Sequence, residues 1–215
     1  MDKHMLVYEH ITEYMRTIRR ERTGDLGELE RRARLEKYPI ADAETSDLIE
    51  IICYLKQPSK ILEIGTCIGF SSLLMSSVCS DAEITTIERN PVMIRPAKEN
   101  FTKFNAENIT LMEGNALSIL PTLKDKYDLI FLDAAKGQYP VFFKECIRLL
   151  NSKGILLADN VFFNGYVATG IPDIRRNKTI INRLRQFLSE LENNESLKTV
   201  ILPISDGVTL SYKTE

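Results

Sequence analysis

The chain has 215 residues, 44% of them hydrophobic, enough for one sizeable core and a single domain spanning 1–215. Its 28 basic and 30 acidic side chains nearly cancel, so overall charge advertises no polyanionic partner. Cys53, Cys67, Cys79 and Cys146 stand singly, without the spacing of a zinc site or redox pair, and no run approaches the ~20 apolar residues that cross a bilayer; the expectation is a soluble cytoplasmic protein.

Taken in chain order, apolar Leu6, Val7, Ile11, Met15 and Ile18 predict a surface helix over 5–19, and a densely charged second helix follows over about 26–37. A third helix, 45–55, ends ahead of Gln57-Pro58-Ser59, so residues 1–56 form a helical region expected to cover the site. Then the pattern changes to short apolar runs at 60–64, 83–87, 109–112, 127–132 and 154–158, each separated by a segment able to form a helix. That alternation predicts an α/β fold with a doubly wound parallel sheet. Asn90-Pro91 caps and opens the helix after the second strand, while Pro96 inside it is expected either to kink or to delay it. Gly165, Gly170 and Pro172 predict a long loop over 160–178, able to close over a substrate, before a helix over about 178–193. Two final strands, 199–204 and 208–212, flank Ser205-Asp206-Gly207 and predict an antiparallel hairpin at the sheet edge.

Candidate chemistry gathers at strand ends. Asp133 closes one apolar run and Asp159-Asn160 closes another, so two carboxylates and an amide oxygen emerge at the carboxyl edge of the sheet, an oxygen set that suits Mg²⁺. Lys136 lies three residues past Asp133, within reach of a group bound at the metal; a bound cation and desolvation would both push its pKa down toward that of a base. His4 and His10, both in the first helix, are assigned surface or packing roles. Upstream, Gly65 and Gly69 turn the chain out of the first strand, but Cys67 replaces the middle glycine of a dinucleotide loop, which disfavours pyrophosphate and a nicotinamide enzyme. A cofactor without phosphate but with an amino-acid tail fits better, held by Glu63 and the amides near Gly65 to Ser71. Glu88 at the end of the second strand is placed for ribose hydroxyls, and the turn Gly114-Asn115-Ala116 for the adenine edge. With no Gly-x-Ser-x-Gly elbow, phosphate loop or Cys/His pair, the remaining chemistry is transfer of a small group to an oxygen held on a metal.

Through residues 62–71, Thr86-Ile-Glu-Arg-Asn-Pro91, Phe131-Leu-Asp-Ala-Ala-Lys136 and Ala158-Asp-Asn160, the chain resembles the metal-dependent, catechol-type O-methyltransferases, which use S-adenosylmethionine. The resemblance implies a seven-stranded, Rossmann-like class I methyltransferase fold. It places Glu63, Gly65 and Ser71 on the methionine part of the donor and Glu88 on its ribose; Ala116, from the turn already assigned to the adenine edge, and Asp133 complete the expected donor contacts. It assigns Mg²⁺ to Asp133, Asp159 and Asn160, and the base to Lys136. Family members are often dimers, and the first helix is a candidate for such a contact or for covering the cleft.

Within that family, Asp133-Ala-Ala-Lys-Gly-Gln-Tyr139, Asp159-Asn-Val161 and Pro203-x-x-Asp206-Gly207 are similar to the bacterial tRNA 5-hydroxyuridine methyltransferases. The expected acceptor is therefore the 5-hydroxyl of the tRNA wobble uridine, with Arg31, Arg32, Arg175, Arg176 and Lys178 holding RNA phosphates. The rival readings are a methyltransferase of small catechol-like compounds and a non-catalytic RNA-binding protein; by the ordinary reading, the same charged helices are solvated faces.

Overall fold

The computed structural model describes residues 9–172 and 174–215; the side chains of Glu9 and Arg176 lie outside that description. So do His4, Leu6 and Val7 at the predicted start of the first helix. Three helices come first: α1 (Glu9–Ile18), α2 (Gly24–Leu35) and α3 (Ala43–Lys56). There follow β1 (Lys60–Ile64), α4 (Phe70–Val78), β2 (Glu83–Glu88), α5 (Pro91–Lys103), β3 (Ile109–Glu113), α6 (Ala116–Ile119), β4 (Tyr127–Leu132), α7 (Tyr139–Leu149) and β5 (Leu150–Ala158). A short α8 (Tyr166–Thr169), α9 (Lys178–Glu192), β6 (Leu197–Leu202) and β7 (Val208–Lys213) complete the chain. Among the described residues no helix is long and apolar enough to cross a membrane.

The strands form one seven-stranded sheet in the order β3-β2-β1-β4-β5-β7-β6, parallel through β5 and antiparallel at β7 and β6. Side-chain alternation along the strands sorts the core into two layers. Leu62, Ile64, Ile130 and Leu132 face α7 and α9, where Phe142, Phe143 and Phe187 pack, whereas Ile61, Leu129 and Phe131 face α3 and α4 with Ile49, Ile52 and Leu74. The helical region is tied on separately. Leu29 and Ala33 of α2 pack with Ile68, Phe70 and Phe101, and so join α2 to α4 and α5.

Register sets where function can sit. Ile87, Ile64, Leu132 and Ala158 are partners across β2, β1, β4 and β5, so the residues that follow them, Glu88, Gly65, Asp133 and Asp159, form a row along one edge. Backbone hydrogen bonds carry the row past the strand ends: Gly65 N to Ile87 O, Asp133 N to Ile64 O and Asp159 N to Leu132 O, each 3.0 Å. Strand order reverses between β1 and β4, the place where open α/β sheets bind ligands.

Three local outcomes differ from the sequence pattern. Helix α5 is not delayed by Pro96 but continues past it to Lys103; the carbonyl that loses its partner, on Val92, belongs to an exposed residue open to water. Asn90 starts the helix as expected, its side chain accepting a hydrogen bond from Val92 N at 3.1 Å. Asn90→Ala is expected to cost about 1 kcal/mol, read as a lower urea midpoint at unchanged slope. Strand β5 begins at Leu150 rather than 154, because its early residues pair only at Tyr127 across a register shift. The predicted loop over 160–178 contains α8, whose terminal carbonyls on Val167 and Ala168 accept from the Arg185 guanidinium at 2.7 and 3.2 Å.

Candidate active site

The row of strand ends opens into a cleft of about 530 Å³ whose lining includes Asp42, Gly65, Cys67, Glu88, Asp133, Lys136, Asp159 and Asn160. A second cavity of about 330 Å³ adjoins it, sharing Gly65, Glu88 and Asp133 and continuing past Asn115, Ala116 and Gln138 to Phe142. Through those shared residues the two cavities form one groove along the sheet edge.

Gly65 is required by the closeness of two strand ends. A Cβ there would lie 1.9 Å from the Asp133 carbonyl oxygen, and its φ of +109° is one that L side chains rarely adopt. Behind it, Glu63 is fully buried. Its carboxylate accepts hydrogen bonds from Ser71, Ser72 and, at 2.5 Å, Thr86, whose hydroxyl also meets Thr66. Burial pushes the Glu63 carboxyl up to about 7, although the three hydroxyls pull the other way. Neither Glu63 nor Ser71 lines the cleft; in this structure they brace the turn from β1 into α4 from below. Alternation explains it: Glu63 shares the β1 face of Ile61, toward α3 and α4.

Glu88 sits where the two cavities meet. One carboxylate oxygen accepts from Cys67 N at 2.9 Å and the other from Arg89 N and Asn90 N at 2.9 and 2.8 Å. These bonds fix its orientation and leave acceptor capacity toward the groove. Asn115 is occupied in capping α6 through Leu117 N, so Ala116 is presented on the wall of the second cavity.

At the other end, Lys136 Nζ lies 2.6 Å from Asp133 Oδ1, and Asp159 Oδ1 accepts from Asn160 N at 2.7 Å. Asn160 adopts a left-handed φ of +52°, a conformation asparagine tolerates better than most residues. The Tyr139 hydroxyl, fully buried, donates to one of the carbonyls of Leu132 and Asp159, 3.2 and 2.9 Å away, and so bridges the ends of β4 and β5. Sequence reasoning assigns it no role; its place at the first turn of α7, three residues past Lys136, is the signal that was there to find.

Charge at this end is unbalanced. Burial, with Asp133 nearby, raises the Asp159 carboxyl to about 7, and burial raises Asp206 to about 6. For Lys136, burial acts to lower the pKa, as expected from the sequence, but Tyr139 and Asp133 act against it and the net direction is upward. The amine is thus an ammonium paired with Asp133. Among the described residues no three histidine, cysteine or acidic side chains are grouped to hold a metal by themselves; the site offers two carboxylates and one amide.

A seven-stranded sheet with a reversed terminal hairpin and a ligand groove at the β1/β4 switch point defines the class I S-adenosylmethionine-dependent methyltransferase fold. The O-methyltransferase family model matches residues 19–214, and the chain belongs to that family: it is an S-adenosylmethionine-dependent O-methyltransferase. A structure from Staphylococcus aureus described as a caffeoyl-CoA O-methyltransferase is 35% identical, with a TM-score of 0.88 over 95% of this chain and 100% of that one. The Podospora anserina methyltransferase PaMTH1, solved with S-adenosylhomocysteine bound, is 28% identical, with a TM-score of 0.85 over 96% of this chain and 95% of that one. An O-methyltransferase of Mycobacterium sp. (strain KMS) is 30% identical over 165 residues, 75% of this chain and 73% of its own.

These findings correct the expectation of a tRNA acceptor and an RNA partner. Two of the relatives named are described as O-methyltransferases, one of them by caffeoyl-CoA, and the third as a methyltransferase; none is described as an RNA-modifying enzyme. The structure supplies the physical reason. Four of the six arginines over residues 19–34 are paired with acids: Arg19 with Asp47 at 2.7 Å, Arg22 with Glu50 and Glu30, Arg34 with Glu30, and Arg31 with Glu28. Arg32 is turned to Asn100 at 3.1 Å, and neither Arg175 nor Lys178 lines the cleft.

Proposed function

We propose that the protein transfers the methyl group of S-adenosylmethionine to a hydroxyl of a small catechol-like acceptor, with a divalent cation at Asp133, Asp159 and Asn160. The observation that carries this reading is the shared edge: the ribose-type acid Glu88, Gly65, Asp133 and Asp159 follow partnered residues across four neighbouring strands. The donor would lie along the groove, its ribose at Glu88 and its adenine at Ala116, so that the methyl group points to Asp133 and Lys136.

The residues fit a cation on the chemistry of the donor set. Two carboxylates, one raised to about 7 by burial and by the other, form an excess of negative charge that Mg²⁺ relieves, and two acids with an amide leave positions for water or acceptor oxygens. A cation held there would lower the pKa of an acceptor hydroxyl. Lys136 is held as an ammonium by Asp133; a cation drawing on Asp133 and Asp159 would weaken that hold, and the amine left once the ammonium gives its proton to solvent is the group assigned the acceptor's hydroxyl proton. The segment from Pro39 to Asp42, lining the cleft from the helical region, helps to exclude water from the reacting end.

The test is methylation of catechol and caffeic acid by the purified protein with S-adenosylmethionine, followed by mass spectrometry of the ethers. The expected result is a monomethyl ether that disappears with EDTA and returns with Mg²⁺. Turnover indifferent to EDTA would remove the metal from the scheme; no ether from either acceptor would remove the acceptor class.

A further inference from the structure

Asp42 is the residue immediately before α3, at the position where an aspartate ordinarily accepts a hydrogen bond from the first turn of its helix. It makes no such bond. Among the described residues its carboxylate has no hydrogen-bond or ion-pair partner, and it lines the cleft with Asp133, Lys136, Asp159 and Asn160.

Its position is held by neighbours rather than by its own side chain. Ser46 N donates to Asp42 O at 2.8 Å, and the Ala41 carbonyl accepts from Ser46 Oγ and from Arg34 Nη2, each at 3.2 Å. The first turn of α3 is fastened to the β6–β7 turn through Thr45 and Glu44, whose side chains lie 3.3 and 3.4 Å from Ser205 Oγ. The cations that act on Asp42 are already engaged, Arg16 by Glu44 and Arg34 by Glu30, each at 2.7 Å, and Lys136, which lines the same cleft, is taken by Asp133. The groups of like sign around it are Glu44, Asp133, Asp159 and Asp206. Even with a divalent cation offsetting two of the acids, this wall keeps a negative charge with hydrogen-bond capacity to spare.

We propose that Asp42 determines acceptor specificity: its carboxylate receives a hydrogen-bond donor or positive charge on the acceptor's substituent and disfavours acceptors that carry an anion there. This inference rests on the catechol-type reading above. Charge complementarity of this kind acts chiefly on which ligand binds.

The experiment compares kcat/KM for dopamine, whose side chain is an ammonium, and 3,4-dihydroxybenzoate, whose substituent is a carboxylate, in the wild-type enzyme and in Asp42→Asn and Asp42→Ala. Wild type is expected to favour dopamine, and both substitutions to shrink that preference on the order of tenfold, mainly through the acceptor KM, with the KM for S-adenosylmethionine unchanged. Melting temperature should hold, since no cap bond is lost. An unchanged preference in both variants, a wild-type preference for the carboxylate, or a large fall in melting temperature with both substitutions would each overturn the assignment. Failure of wild type to methylate any catechol would instead overturn the catechol reading, and this inference with it.

Discussion

Asp159→Ala is expected to lower catechol methylation by about 10³-fold, roughly 4 kcal/mol of transition-state stabilisation, while leaving the protein folded. The proposed cation site has only two carboxylates, and the loss of either leaves too few charged oxygens to bind Mg²⁺ and hold an acceptor beside it. The accompanying stability change should have the opposite sign. Asp159 is 1% exposed, and its pKa is raised to about 7 by burial and by Asp133, so at pH 8 without metal its charge opposes folding. In EDTA the variant should therefore melt at or above the wild-type temperature, because the bridge from Tyr139 reaches the Asp159 backbone carbonyl and survives the substitution. Steady-state kinetics with added Mg²⁺ and thermal melts in EDTA check the two halves. An active Asp159→Ala enzyme would sink the proposed metal site, and an inactive one that has also lost its fold would leave activity loss no longer attributable to the site.

The second large effect concerns Glu63, which we place under the cofactor turn as a brace. Glu63→Ala would strand the hydroxyls of Ser71, Ser72 and Thr86 in a dry interior, and a cost of about 3–5 kcal/mol is expected. Glu63→Gln keeps the shape and removes the charge, so it isolates the pH dependence. Burial raises the folded pKa from 4.5 to about 7, so the stability associated with the neutral carboxyl is fully present below pH 4.5 and is lost as pH rises through about 7. The lost amount is about 3 kcal/mol for a shift of this size. Urea unfolding of wild type and Glu63→Gln at pH 5 and pH 8 should show the variant gaining on wild type at the higher pH. Parallel pH dependences would mean that Glu63 stays ionised in its pocket of hydroxyls.

The strands of the sheet are legible in short apolar runs because a strand buried on both faces must be apolar nearly throughout, and the terminal hairpin is legible in Asp206-Gly207. Asp133 and Asp159 stand out for a related reason: a charged residue at the end of a buried run emerges at a sheet edge. Less could be read from Glu63, which local pattern alone places beside the cofactor loop. Its hydroxyl partners on α4 and β2 exist only once the chain is folded, and they turn the carboxylate inward. Asp42 was invisible for the converse reason, since an aspartate ahead of a helix reads as a cap and only the fold shows the cap bond unmade.

The arginine-rich segment carries the same lesson for the acceptor. Nothing local to Arg19 and Arg22 shows their charge to be taken, but Asp47 is 28 and 25 residues away and close in space, and the comparisons with O-methyltransferases point away from RNA.

By itself the sequence determined the alternation of strands and helices, the reversed final hairpin and the acids that close β4 and β5, because periodicity and turn chemistry are local properties of a chain. Only the tertiary structure decided that Glu88, Gly65, Asp133 and Asp159 stand in one row, which charges are already paired, and which carboxylate remains open to the cleft. Register and long-range pairing depend on residues tens of positions apart, and no local pattern encodes which of them meet.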